Sequence, residues 1–81
     1  MKTSYLFLSN GFEEIEAVTI IDILRRAKID LKIVSMGEER AVIGEHGITL
    51  MADVLYSKTK WDNSEFFILP GGIGSTKDLF M

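Results

Sequence analysis

Four apolar residues in a row, Tyr5, Leu6, Phe7 and Leu8, stand near the start of the chain and are closed by Ser9, Asn10 and Gly11. A short continuous run bounded by turn residues is the pattern of a strand buried on both faces of a sheet. From Glu13 to Lys28 the period changes. Ala17, Ile20, Ile21, Leu24 and Ala27 or Lys28 recur at helical spacing, while Glu13, Glu14, Asp22, Arg25 and Arg26 fall mostly off that stripe. The spacing predicts an amphipathic helix with acidic residues in its first turn and basic ones in its last, which suits the helix dipole, and with Asn10 or Gly11 as its cap. Leu31 to Met36 alternates, carries the β-branched Ile33 and Val34, and stops at Gly37. Strand, helix and strand within about thirty residues predict a right-handed βαβ unit with parallel strands.

Ala41-Val42-Ile43 and Ile48-Thr49-Leu50 flank Gly44-Glu45-His46-Gly47, which predicts an inserted antiparallel hairpin with glycine available for positive φ. Asp53 to Ser64 reads as a loop with one helical turn at most, Val54, Leu55 and Trp61 touching the core. Phe66 to Leu69 forms a third buried run, ended by Pro70-Gly71-Gly72, and Ser75 or Thr76 then caps a helix that has barely begun at Met81. The elements together predict a three-layer α/β sandwich of flavodoxin-like order, with a parallel sheet, the first strand inside and the third beside it. A third strand left as a long apolar edge is an aggregation hazard that complete domains avoid. The expectation is therefore that residues 1–81 are the N-terminal portion of a single larger domain.

Composition narrows the function classes. The length of 81 residues leaves room for one small domain, and 47% hydrophobic against 26% charged residues is the balance of a chain that folds. Twelve acidic against nine basic residues give a net charge of −3 without a basic stripe, so nucleic acid is not an expected partner. There is no cysteine and a single histidine, which excludes a disulfide framework, a zinc module and a cysteine nucleophile within these residues. The first apolar run is too short for a signal-peptide core, and nothing approaches the roughly 20 apolar residues of a membrane span. The expected setting is the cytoplasm, with no membrane partner.

Four motifs then follow one another in a recognisable order: Leu6 to Ala17 (LFLSNGFEEIEA), Asp22 to Ala27 (DILRRA), Gly47 to Asp53 (GITLMAD) and Ile68 to Gly72 (ILPGG). This order resembles the N-terminal part of the ThiJ/PfpI superfamily, of class I glutamine amidotransferase-like fold. The similarity is to the branch of the parkinsonism-associated deglycase and its bacterial relatives associated with thiazole biosynthesis. Any one motif is common; four in order and spacing are fairly specific. The resemblance implies a reactive cysteine on a strand-to-helix elbow a few tens of residues after Pro-Gly-Gly. It also implies that Glu16 hydrogen-bonds that sulfur and tunes its ionisation and oxidation, and that the Gly72 backbone N–H faces a developing oxyanion, with Gly71 permitting the close turn. Both roles agree with what thiolates and oxyanions require. The implied intact protein acts on a small carbonyl substrate or a peroxide, in glyoxalase, deglycase, hydrolase or oxidative-stress chemistry, uses no metal and no organic cofactor, and is a homodimer.

The residues by themselves carry plainer readings. Glu16 is a dipole-favourable residue of a first helical turn, and Gly71 and Gly72 end a strand. Glu13 and Glu14 read as surface residues, His46 as exposed turn structure, and Arg25 and Arg26 as the basic end of the helix. Trp61, Phe66 and Phe67 read as core. Residues Gly72 to Lys77 hint at an anion cradle but match neither the dinucleotide nor the P-loop spacing. The alternative of another class is a short non-catalytic α/β module that binds a partner chain through its third-strand edge.

Overall fold

The computed structural model describes residues 2–59 and 64–70. In chain order the elements are β1 (Thr3–Leu8), α1 (Glu14–Arg26), β2 (Leu31–Ser35), β3 (Ala41–Ile43), β4 (Thr49–Met51), β5 (Val54–Leu55), a 3-10 turn (Tyr56–Lys58) and β6 (Ser64–Ile68). β1 pairs in parallel with β2 on one side and β6 on the other, and β5 extends the sheet beyond β2, so the order is β5-β2-β1-β6. β3 and β4 form a separate antiparallel hairpin, with Val42 opposite Leu50. The expected α/β class, parallel sheet, inserted hairpin and interior first strand are all present.

The alternation along β1 explains the continuous apolar run. Leu6 and Leu8 face α1 and join Phe12, Ala17, Leu31, Ile33, Val42 and Ala52 in one cluster, against which Ile20, Ile21 and Leu24 of the helix stripe pack. Tyr5 and Phe7 face the opposite way and cluster with Val34, Met36 and Val54. Burying a large apolar side chain contributes about 1.5–3 kcal/mol, so a strand that buries both faces anchors the sheet.

Several local expectations are corrected. The helix runs over Glu14–Arg26 rather than to Lys28, and its cap is Glu13, whose Oε1 accepts from the Ile15 N–H at 3.0 Å, in place of Asn10 or Gly11. Asn10 is used otherwise: its Oδ1 accepts from the Ile43 N–H at 3.0 Å. The segment after Asp53, read as a loop, holds the short strand β5 as well as the helical turn, because Asp53 draws it onto β2. The Asp53 N–H donates to the Ile33 carbonyl at 2.8 Å, and its Oδ2 accepts from the Ile33 N–H at 2.7 Å and from Arg25 at 3.2 Å. Phe66, Phe67 and Leu69, expected to be buried, are each more than half exposed. Among the described strands β6 borders the sheet, and the Phe67 ring stacks with those of Tyr5 and Phe7 at centroid distances of 6.1 and 5.8 Å. Trp61 lies outside the described residues.

The end of α1 has an unusual stop. Lys28 holds φ at 64°, its N–H bonds the Arg25 carbonyl at 3.1 Å and the Ile29 N–H bonds the Leu24 carbonyl at 3.1 Å. This is the paired-bond cap normally built on glycine. A side chain in the left-handed region costs roughly 1–2 kcal/mol. Lys28→Gly is therefore expected to stabilise the fold by about 1 kcal/mol in chemical denaturation; an unchanged or lower midpoint would contradict the strain.

Candidate functional site

In a parallel sheet, ligand sites lie beyond the carboxyl ends of the strands where successive connections diverge. From β1 the chain passes through α1 to β2 on one flank, while β6 lies on the other. The segment that follows β1 and the segment that follows β6 therefore leave neighbouring strand ends. Glu16 is on the first turn of α1, exposed, just beyond β1. Leu6 pairs with Ile68, the last residue of β6, and Pro70 that follows is buried. Gly71 and Gly72, with the possible anion cradle through Lys77, lie outside the described residues.

The loop between β1 and α1 is held by the hairpin. The Gly11 N–H donates to the Ile43 carbonyl at 2.8 Å, and the Glu45 N–H donates to the Phe12 carbonyl at 2.8 Å. Glu14 completes the attachment. Read as a surface residue, it is instead buried, with its side chain only 6% exposed. Its Oε2 accepts from the His46 N–H at 2.6 Å and the Ile48 N–H at 3.3 Å, and His46 Nδ1 lies 3.0 Å from Oε1. Burial alone would raise the carboxyl pKa. The His46 ring and the surrounding backbone N–H donors outweigh it and hold the group down from an ordinary 4.5 to about 2. An ionised carboxylate only accepts, so Nδ1 carries the proton in this contact. His46 in turn is raised above its ordinary 6.5, first by the hydrogen bond to Glu14 and its charge, against a smaller opposing effect of burial, with Glu45 and Glu13 adding to the rise. The expectation of an exposed turn histidine holds for the outer part of the ring, but the residue has a fixed partner.

Two glycines permit this approach. A Cβ on Gly44 would stand 2.5 Å from the Glu14 carboxyl carbon, and Gly47 turns the chain at φ +83°. Among the described residues no cluster of three or more His, Asp or Glu could hold a metal ion, and no helix is long and apolar enough to cross a membrane.

The family model described as DJ-1/PfpI matches residues 2–81. The chain belongs to the DJ-1/PfpI family. Among curated relatives, protein DJ-1 homolog B of Arabidopsis thaliana is 36% identical over 70 residues, which cover 86% of this chain and 16% of that protein. Protein dj-1beta of Drosophila melanogaster is 28% identical over 75 residues, 93% of this chain and 40% of that one. Of solved structures, a mutant DJ-1 superfamily protein from Salmonella typhimurium superposes with a TM-score of 0.89 at 38% identity, covering 98% of this chain and 43% of that one. The oxidized DJ-1 of Toxoplasma gondii gives a TM-score of 0.84 at 32% identity, over 90% and 40%. The chain thus spans less than half the length of each of these DJ-1/PfpI relatives.

Burial of Glu14 escaped the sequence reading although a signal was present. Counting back three from Ala17 places Glu14 on the apolar stripe, and a carboxylate there has to find donors. What the pattern lacked was the donor, which comes from a turn 32 residues away.

The pair sets a pH window. Glu14, with its pKa depressed, adds stability that is full above about pH 4.5 and lost as pH falls through about 2. His46, with its pKa raised, adds stability that is full below 6.5 and lost as pH rises through its folded value. The stability difference between wild type and His46→Ala is expected to be largest between about pH 4.5 and 6.5 and to shrink toward alkaline pH. A pH-independent difference in urea titrations would contradict the pairing. Gly44→Ala, which intrudes on the same carboxylate, is expected to cost about 1–3 kcal/mol in the same titrations.

Proposed function

We propose that the intact protein uses an activated cysteine, supplied by sequence beyond these residues, on a small carbonyl substrate or a peroxide, and that Glu16 tunes that thiol. The observation that carries this reading is topological. Glu16 follows the end of β1 and Pro70 follows the end of β6, and these are adjacent parallel strands. In this reading Glu16 hydrogen-bonds the sulfur and tunes its ionisation. The Gly72 N–H, with Gly71 permitting the turn, stabilises the oxygen that gains charge when the thiolate adds to a carbonyl carbon. No metal or organic cofactor enters the scheme. Support comes from the relatives' own descriptions: the Salmonella protein was solved as a cysteine-to-alanine mutant, and the Toxoplasma protein is described as oxidized. Residues 1–81 then form the N-terminal portion of one DJ-1/PfpI domain, acting in the cytoplasm in carbonyl or oxidative stress.

A second copy of the chain fits as partner in this scheme. Ile15 and Val18 on the outer side of α1 and Ile48 of the hairpin are exposed, and Ile15 and Ile48 line one cavity of about 330 Å³ with Glu13, Glu14 and His46. A symmetric contact would cover these apolar groups. One feature favours the other reading, a partner chain added at the sheet edge: β6 borders the sheet with Phe66 and Phe67 more than half exposed.

The test is made on the full-length product of the reading frame. Its cysteine is expected to titrate well below a free thiol, and Glu16→Ala to raise that pKa by about one unit and to slow reaction with methylglyoxal or peroxide at neutral pH about tenfold. A full-length product with no reactive cysteine, or one indifferent to Glu16→Ala, would sink the thiol reading and leave the strand-edge module.

A further inference from the structure

Glu14 is the one charged side chain buried among the described residues, and the scheme above gives it no role. It sits two residues before Glu16 on the same first turn, so the two side chains diverge by about 200° around the helix axis. Glu14 points to the hairpin and is gripped there by two backbone N–H groups and an imidazole. The hairpin is itself bound to the strand-to-helix loop, with Ile43 bonded to Asn10 and Gly11 and Glu45 to Phe12. A first helical turn is ordinarily the part of a helix free to fray; this one has its rotation about the helix axis determined by a carboxylate seated in a turn from another part of the chain.

We infer that Glu14 is a positioning residue for Glu16: by seating its carboxylate in the His46 to Ile48 turn it sets the rotation of the first turn of α1 and so the direction in which Glu16 is presented. The inference rests on the reading of Glu16 as the residue that tunes a cysteine. Its chemistry is different from that of Glu16, since a buried and fully engaged carboxylate has no access to a substrate and acts only through the backbone it holds. His46 serves the same seat from the hairpin side. Glu13 and Glu45 flank the imidazole and add to its positive character, while the Glu13 side chain caps the turn at Ile15.

The experiment is a double-mutant cycle on the full-length product, reading the cysteine pKa from the pH profile of alkylation and the peroxide rate constant at neutral pH. Glu14→Gln keeps the shape of the side chain, removes its charge and puts an amide N–H₂ where hairpin N–H groups already point. It is expected to raise the thiol pKa in the same direction as Glu16→Ala and to slow peroxide consumption about fivefold, since small misplacements of a catalytic group cost this much or more. In the Glu16→Ala background Glu14→Gln is expected to have no further effect on the thiol. His46→Ala, whose ring is mostly exposed and removable without opening the core, provides a milder second variant should Glu14→Gln fold poorly; it should shift the thiol the same way by less, and again only when Glu16 is present. If Glu16→Ala shifts the thiol and neither Glu14→Gln nor His46→Ala does, or if the effects add, the positioning role is overturned while the thiol reading stands. If Glu16→Ala leaves the thiol unmoved, both fall.

Discussion

The structure is arranged around a strand that is buried from Ser4 to Leu8. β1 gives Leu6 and Leu8 to one side of the sheet and Tyr5 and Phe7 to the other, and its backbone is paired along both edges, with β2 and with β6. Because parallel strands need crossovers, pairing β1 with β2 forces α1 over the Leu6 and Leu8 face. The helix stripe of Ala17, Ile20, Ile21 and Leu24 is the complement of that face. Placing β6 on the opposite flank then makes the end of β1 the point where connections diverge, which is where such sheets carry their chemistry.

The hairpin looks at first like an ornament, since it belongs to no part of the main sheet. Its function in the fold is to close the carboxyl end of β1. Val42 and Leu50 extend the core beneath the helix, and the turn beyond them supplies donors that a buried carboxylate requires. A charge removed from water is tolerated only when its lone pairs are filled. Glu14 meets that condition with contacts from His46 and Ile48, and the consequence is a helix start tied to a turn 32 residues along the chain. The tie at the other end of α1, from Arg25 to Asp53 and from Asp53 to the Ile33 backbone, is half-exposed and screened; it organises the β5 segment more than it stabilises the helix.

Much of this was legible in the order of residues. Two-sided burial of β1, the helical stripe, the alternation of β2 and the glycines around His46 each carry a period or a turn signal that local sterics impose whatever the partner. Family membership was legible for a related reason: four motifs stand in order and spacing along the chain, and the DJ-1/PfpI match extends over residues 2–81. Glu16 could be singled out only through that resemblance, because an exposed glutamate in a first turn has no local feature to distinguish it.

The decisions left to tertiary structure share one cause, which is that they depend on donors or neighbours far along the chain. Asn10 is a good helix cap by type, yet the Ile43 N–H claims it and Glu13 caps the helix in its stead. Val54 and Leu55 are too short a run to announce a strand, and they become one because Asp53 docks them beside β2. Phe66 and Phe67 look like core by composition, but among the described residues β6 borders the sheet and both are left more than half exposed. Glu14 and Glu16 are the same residue type two positions apart, and periodicity puts Glu14 on the apolar stripe without saying what its carboxylate will meet there. The hairpin turn settles it, since hydrophobic periodicity specifies which way a side chain points and only the folded chain specifies what it meets there.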